Sequence, residues 1–442
     1  MHAIAAGETE WLETVHKSVD GGVSDDQVSD VSWAAFHAGQ DQRLVSGSPV
    51  TALLPLLRYN SNTAAMMKHA LLITQKAVSY LHPDQVPVIF LDQPLFALAK
   101  QVQWHWPDTF GECKFVVMMG GLHIEMASLR MLGHWLDGSG WLQCLVESDV
   151  TTTGVAESCI SASHVKRTRY AHSVTAAALY ICLRRCYNKY CKDTDSAEQK
   201  PFDEWRSDCE NQSAQFKFWS TALNLEMLVL SFVRSLRMGD FALYVDTLQA
   251  IAPWFFALDQ VNYARWLPVH LRDMLSFQEQ HPHIYEQFVC GKFTISKSGK
   301  KFSSISVDQA HEQLNALIKG TGGAIGLTEN EAALCRWITA GPEVVRCLLE
   351  FEGQFVSNVS DFKHHEQTNF FQCRFRGNVV RLVEVFEEEL PFTASSHDDL
   401  QVLCVRTFAD LAVSNTVKSA EQIGRQQLST FVSERLCGSV PV

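Results

Sequence analysis

The sequence has no CxxC pair, although it contains 13 cysteines in 442 residues. It also has no apolar h-region in its first 30 residues, so a secretory signal peptide is not predicted there. No apolar run approaches the roughly 18 residues that a membrane-spanning helix needs. Reduced thiols are the simplest interpretation of unpaired, scattered cysteines. We therefore expect an intracellular protein, nuclear or cytoplasmic, that does not enter a membrane.

A basic surplus is absent as well. The chain has 37 Lys and Arg residues against 49 Asp and Glu residues, and its formal net charge is −12. Because phosphate contacts supply much of the affinity for nucleic acids, a free-standing nucleic-acid binder usually carries a net positive charge. The composition leaves room only for a local basic groove. With 46% hydrophobic residues the chain is otherwise an ordinary globular protein, long enough for two or three domains.

Several common catalytic motifs are missing from the chain. It contains no GxSxG nucleophile elbow and no HExxH zinc motif. The glycine-rich stretch at 320–327 matches neither GxGxxG nor GxxxxGK[ST], and it follows a predicted helix where both nucleotide-binding motifs follow a strand. A nucleotide-binding α/β enzyme is therefore the least favoured function class, and this stretch is interpreted as a connector.

Helices and strands alternate in the first third of the chain. Hydrophobic periodicity predicts helices over 61–84, 94–104 and 122–140, and apolar runs predict buried strands over 87–91 and 113–121. Near-continuous apolar strands separated by helices indicate a parallel sheet covered on both faces. The expected fold class is thus α/β, rich in helices.

Composition and periodicity divide the chain into five parts. They are a flexible acidic leader (1–30), a first α/β core part (31–145), an all-α insertion (146–288), a second core part with a hairpin over 292–306 and a helix over 306–320 (289–340), and a helical C-terminal region (341–442). Exposed polar segments are predicted at 192–214 and 393–400. Ser306 and Gln309 fit a capping box at the start of the 306–320 helix.

Asp92 is the first candidate site residue. It directly follows the predicted strand 87–91, and functional sites of α/β sheets cluster at the carboxyl ends of strands. A carboxylate there can hold a divalent metal. The alternative is a turn residue or a helix N-cap.

Glu312 and His123 are the next candidates. Asp308, Glu312 and Asn315 share one face of the predicted helix 306–320, and a carboxylate face can supply a two-metal phosphoryl-transfer site. The alternative is a solvated helix face. His123 follows Gly120 and Gly121, and it is either a base, a metal ligand or a structural histidine.

Two arginines are candidate nucleic-acid contacts. Arg265 and Arg272 lie beside Tyr263 and Trp266 in one predicted helix, and arginine with interleaved aromatic residues can stack on bases or bind phosphates. The alternative is a helix with an aromatic core face and a salt-bridged outer face.

Several long segments resemble a family of large uncharacterised metazoan proteins that descend from mobile elements and are frequent in marine invertebrates. They are "FLDQPLFALAKQVQW", "KFVVMMGGLHIEMASLRMLGHWLDGSGW", "NYARWLPVHLRDM", "DQAHEQLNALIKGTGGAIGLT" and "RWITAGPE". The order of Asp92, a helical block and Glu312 is also similar to RNase H-like DDE transposases of the hobo/Ac/Tam type. This second resemblance implies an RNase H-like core with a helical insertion.

The resemblance implies a transposase-derived protein that cleaves or joins DNA strands with Mg²⁺. Asp92, Glu312 and Asp308 would hold the metal ions, and His123 would lie near the scissile phosphate. The third acidic residue of a DDE triad has no counterpart, which indicates a degenerate centre. The alternative is a non-catalytic interaction or scaffold protein on the same fold, with Trp254, Phe255 and Phe256 on a surface for protein partners.

Overall fold

Helices dominate the computed structural model, which describes residues 2–21, 29–41, 54, 59–297, 300–320, 330–355, 364–392 and 400–437. Within these ranges the chain is 74% helical and 4% strand. The predicted RNase H-like α/β fold is therefore wrong. The apolar runs that indicated a sheet are real strands, but within the described ranges they pair only with each other.

The helices are numbered in chain order. They are α1 (His2–Asp20), α2 (Trp33–Gln40), α3 (Ala64–Leu81), α4 (Gln93–His105), α5 (Pro107–Phe110), α6 (Gly121–Leu136), α7 (Trp141–Glu147), α8 (Thr153–Ile160), α9 (Val165–Asp193), α10 (Phe202–Gln212), α11 (Ala214–Met238), α12 (Phe241–Ala257), α13 (Val261–Leu275), α14 (Phe277–Gln280), α15 (Pro282–Val289), α16 (Val307–Lys319), α17 (Glu331–Phe355), α18 (Asn369–Glu389) and α19 (Leu411–Phe431). A 3₁₀ turn at His365–Gln367 precedes α18, and a π-helical turn at Val432–Leu436 follows α19.

Two small sheets complete the described structure. β1 (Val88–Leu91) and β2 (Val116–Met119) are parallel, with Val88 opposite Val116 and Leu91 opposite Met119. Helix α4 forms the crossover between them, as the sequence predicted. β3 (Thr294–Ile295) and β4 (Ile305–Ser306) form the predicted antiparallel hairpin, reduced to two residues in each strand.

The core is built around α11, which packs against α1, α6, α9 and α12. This helix is, among the described residues, the one long and apolar enough to cross a membrane, but 89% of its most apolar 18-residue window is buried inside the protein. Its Phe216, Trp219 and Phe232 are fully buried. Helix α11 is therefore the central helix of a large helical core.

The N-terminal segment differs from the predicted leader. Residues 2–20 form α1, whose Trp11, Leu12 and Val15 are fully buried, and the Trp11 indole N–H donates a hydrogen bond to the carbonyl of Val31 at 2.9 Å. A flexible leader is thus wrong for these residues. The apolar face of α1 is short and lies among polar residues, so the sequence shows little periodicity there. The other predicted domain boundaries stay predictions.

Two further local predictions need correction. The predicted exposed loop 192–214 contains α10, whose Trp205 is buried among Tyr187, Tyr190 and Phe216. Ser306 precedes α16 as expected, but its side chain makes no capping hydrogen bond. Most of the glycine-rich connector, the hairpin turn and the polar segment 393–400 lie outside the described residues.

Candidate functional site

Asp92 lies where the sequence placed it, directly after β1. Its carboxylate Oδ1 accepts a hydrogen bond from the backbone N–H of Leu95 at 3.1 Å, and Pro94 occupies the first turn of α4. This is the geometry of a helix N-cap, which stabilises α4 by satisfying one of its free N–H groups. Of the two roles considered for Asp92, the structure shows the capping one.

Asp308 accepts hydrogen bonds at both of its carboxylate oxygens. Its Oδ1 accepts from Leu122 N–H at 3.1 Å, and its Oδ2 accepts from His123 N–H at 3.2 Å and contacts His123 Nδ1 at 2.9 Å. A side chain at Gly120 would clash with this carboxylate. Asp308 therefore caps the N-terminus of α6 from a different element, where the helix dipole also favours a negative charge.

The electrostatics of this contact agree with its geometry. Burial alone would raise the pKa of Asp308, but the hydrogen bonds from His123 and Leu122 outweigh it and lower that pKa below 3.8. The hydrogen bond to Asp308 raises the pKa of His123 above 6.5, and the charges of Asp308, Asp92 and Glu312 raise it further. The structure thus places His123 in contact with Asp308, and near enough to Asp92 and Glu312 for their charges to act on it.

This acidic group does not fit a pair of Mg²⁺ ions. Mg²⁺ needs carboxylate oxygens that are free to coordinate it, but both oxygens of Asp308 already accept hydrogen bonds from α6. Asp92 Oδ1 is likewise engaged in capping, and Glu312 is exposed on α16. A metal bound by Asp308 or by Asp92 Oδ1 would compete with the hydrogen bonds that begin α6 and α4.

A second group has side chains at metal-ligand spacing. One ligand atom each of His364, His365 and Glu366 lie within 4.8 Å of one another. However, His364 Nδ1 accepts a hydrogen bond from the backbone N–H of Glu366 at 3.2 Å. Burial and the charges of Arg237, His365 and Lys300 lower the pKa of His364 to about 3. Surrounding cations and an occupied ring nitrogen make this a poor site for a metal cation.

A larger basic cavity adjoins this group. Its volume is about 680 Å³, and residues of α8, α9, α11, α16, α18 and the 302–306 segment line it. The charged lining residues are five cations and two carboxylates: Lys166, Arg167, Arg169, Arg237, Arg374, Glu125 and Glu366. We call this space the basic cavity. It concentrates positive charge in a chain whose net charge is −12.

Two of the cations that line the basic cavity are shielded from solvent, Arg169 buried and Arg237 half-buried. Arg169 donates from Nε and Nη2 to Glu125 Oε1 at 2.8 and 2.5 Å. The Arg237 guanidinium lies over the rings of Trp33 and Phe302, 5.1 and 5.3 Å from their centroids. Burial and the nearby charge of Arg169 lower the pKa of Arg237 to about 10, so it stays protonated at neutral pH.

Exposed cations and half-buried rings form the rim. Lys166, Arg167 and Arg374 are exposed, and within the described ranges none of the three forms an ion pair with a carboxylate. Arg374 lies over the Tyr170 ring at 5.7 Å. Tyr170 in turn packs edge-on against Phe371, with ring centroids 6.0 Å apart. The rim therefore offers positive charge next to aromatic surface.

The predicted nucleic-acid arginines lie elsewhere. Arg272 donates to Glu112 at 2.7 Å and to Asp273 at 2.5 Å, in a network that also holds buried Lys100. This is the salt-bridged helix face that was the alternative for this segment. Arg265 is exposed and lines a separate groove beside Phe256 and Phe431.

The predicted surface for protein partners needs correction too. Trp254 and Phe255 are buried in the core, so neither side chain reaches a partner. Their helix α12 is largely apolar because it packs against α11, α13 and α19, and its exposed face carries Asp246 and Gln249.

The basic cavity was missed from the sequence, although one signal was present. The segment "HVKRTRY" (164–170) begins α9 and places Lys166, Arg167 and Arg169 in its first turns. Cations at a helix N-terminus oppose the helix dipole. A basic helix start is therefore a local conflict, of the kind that often marks a functional site.

Comparison with known proteins identifies one related group. The family model described as "Domain of unknown function (DUF8702)" matches residues 32–200 and 192–439. No curated protein and no solved structure shows significant similarity to the chain.

Proposed function

We propose that this protein, which belongs to the DUF8702 family, binds a single strand of nucleic acid in its basic cavity and does not cleave it. The observation that carries the proposal is the lining of that cavity, with five cations against two carboxylates beside half-buried aromatic rings. Phosphates and unpaired bases are recognised by cations and aromatic surfaces in combination.

The size of the cavity supports a ligand of one or two nucleotides at a time. Small-molecule sites typically enclose about 300–1,000 Å³, and the basic cavity encloses about 680 Å³. Lys166, Arg167 and Arg374 at the rim are positioned for phosphates, and Tyr170 and Phe371 for a base. A duplex keeps its bases stacked inside, so contact with these rings favours an unpaired strand.

Binding without cleavage is supported by the acidic group. Asp92 Oδ1 and both oxygens of Asp308 accept hydrogen bonds that begin α4 and α6, so three of the carboxylate oxygens in this group already serve the fold. The transposase-like activity implied by the sequence resemblance therefore gains no support from the geometry. The non-catalytic alternative is more consistent with this geometry, although the fold is helical and not RNase H-like.

The test is fluorescence anisotropy with a labelled single-stranded 20-mer. We expect the variant K166E/R167E to bind about tenfold or more weakly than wild type, because it reverses two rim charges that contact phosphates. The matched control is K189E/K192E. It makes the same charge change in exposed residues of the same helix, about 35 Å away at 1.5 Å per residue, and should bind within about twofold of wild type.

Competition separates the possible sources of the ligand. A strand should displace the labelled 20-mer better than a nucleoside monophosphate, and both better than inorganic polyphosphate. If polyphosphate displaced the labelled 20-mer as well as an unlabelled strand does, the ligand would be a simple anion and the nucleic-acid proposal would be wrong. Equal loss of affinity in the two double variants would contradict binding in the basic cavity.

A further inference from the structure

Two cysteines from distant parts of the chain have adjacent sulfur atoms. Cys144 is fully buried in α7, and Cys404 lies in the 400–409 segment that packs against it. Their Sγ atoms are 3.5 Å apart, across 260 residues of sequence. A disulfide bond is about 2.05 Å long, so an approach of about 1.5 Å would join them.

The 400–409 segment is held in place independently of the cysteines. Leu403 N–H donates to Ser139 O at 2.9 Å, and Cys404 N–H donates to Glu389 Oε2 at 2.7 Å. Gln401 and Phe408 form an antiparallel bridge that closes the turn. These contacts hold Cys404 beside Cys144, so the two sulfur atoms are close in the folded protein without a large movement of the chain.

We propose that Cys144 and Cys404 form an intramolecular disulfide bond on exposure to a peroxide. The Cys404 sulfur is the more accessible and attacks the peroxide O–O bond first, giving a sulfenic acid and releasing water. The Cys144 sulfur then attacks the Cys404 sulfur and displaces a second water. Two thiols and one hydrogen peroxide thus become one disulfide and two waters, and a thiol reductant reverses the change.

The surroundings set the rate of this reaction. Burial raises the pKa of both thiols, and the charges of Glu147 and Glu389 raise them further. Cys404 Sγ also lies 3.8 Å from Glu147 Oε2. Because the thiolate is the reacting form, we expect oxidation to be slow at neutral pH and to accelerate as the pH rises. An E147Q variant should oxidise faster than wild type.

The test is peptide mapping of the full chain after peroxide treatment, acid quenching and alkylation. The expected product links the tryptic peptide containing Cys144 to the one containing Cys404. Cys159 shares a tryptic peptide with Cys144 and is also buried, so C159S is the matched control. We expect C144S and C404S each to abolish the linked species, and C159S to retain it.

Two results would overturn the proposal. One is irreversible oxidation of Cys404 while Cys144 stays alkylatable. The other is a linked species that persists in C144S, which would place the bond at Cys159. Circular dichroism of C404S, a substitution of similar size in a half-buried position, establishes that its chain is folded.

Discussion

At the scale of single residues, acidic side chains here begin helices. Asp92 caps α4 within its own element, whereas Asp308 reaches from α16 to cap α6. The resemblance predicted one site for Asp92, His123, Asp308 and Glu312, and the structure places His123 against Asp308. The sequence could not show which hydrogen bonds they make, since a metal-binding and a capping carboxylate look alike in sequence.

Replacing Asp308 by Asn should destabilise the fold by about 1–3 kcal/mol, because a buried charged acceptor of helix N–H groups is lost. The lowered pKa of Asp308 stabilises the folded protein at pH values above 3.8, and this stabilisation is lost as the pH falls through the lowered pKa. The raised pKa of His123 stabilises the folded protein at pH values below 6.5, and this stabilisation is lost as the pH rises through the raised pKa. The gap between wild type and D308N should therefore be largest between pH 3.8 and 6.5.

Urea denaturation across pH 3–9 measures that gap. The variant H123Q retains the backbone hydrogen bonds of Asp308, so it should lose only the part of the stability that fades above pH 6.5. A gap for D308N that is constant over the whole range would contradict the proposed ion pair.

At the scale of elements, the strongly periodic helices were predicted well, whereas α1, α10 and the extent of the sheet were not. Helical periodicity located α3, α4, α6 and α16 to within a few residues. Two apolar runs also located β1 and β2, but an apolar run does not reveal how many strands lie beside it. In the part of the chain that the structure describes, β1 and β2 pair only with each other, and helices α4, α13 and α16 contact them.

The packing of α12 on α19 depends on one glycine. A side chain at Gly424 would clash with the carbonyl of Pro253, which lies inside α12. We expect G424A to destabilise the protein by about 1–3 kcal/mol through overpacking, despite the gain in helix propensity.

The control for that substitution is G377A in α18. A side chain at Gly377 would meet only the end of the Arg381 side chain, at 3.6 Å. Helix propensity should then make G377A more stable by about 0.5–1 kcal/mol. Thermal unfolding compares the two variants, and equal effects of one sign would contradict the close α12–α19 contact.

At the scale of the whole molecule, charge is distributed unevenly. The net charge of −12 repels nucleic acid at long range, whereas five cations line the basic cavity, and we expect them to attract phosphate at short range. Composition alone could not reveal this cavity, because a charge averaged over the chain conceals a local surplus of cations. The cavity forms only when α9, α11 and α18 pack together, and that arrangement cannot be read from one segment.

The salt dependence of strand binding tests the central claim most directly. If Lys166, Arg167 and Arg374 each neutralise one phosphate, the logarithm of the binding constant should fall against the logarithm of salt concentration with a slope of about −2. The single variant R167Q should reduce that slope in magnitude by about 0.7. A wild-type slope near zero, or an unchanged slope in R167Q, would contradict binding in the basic cavity.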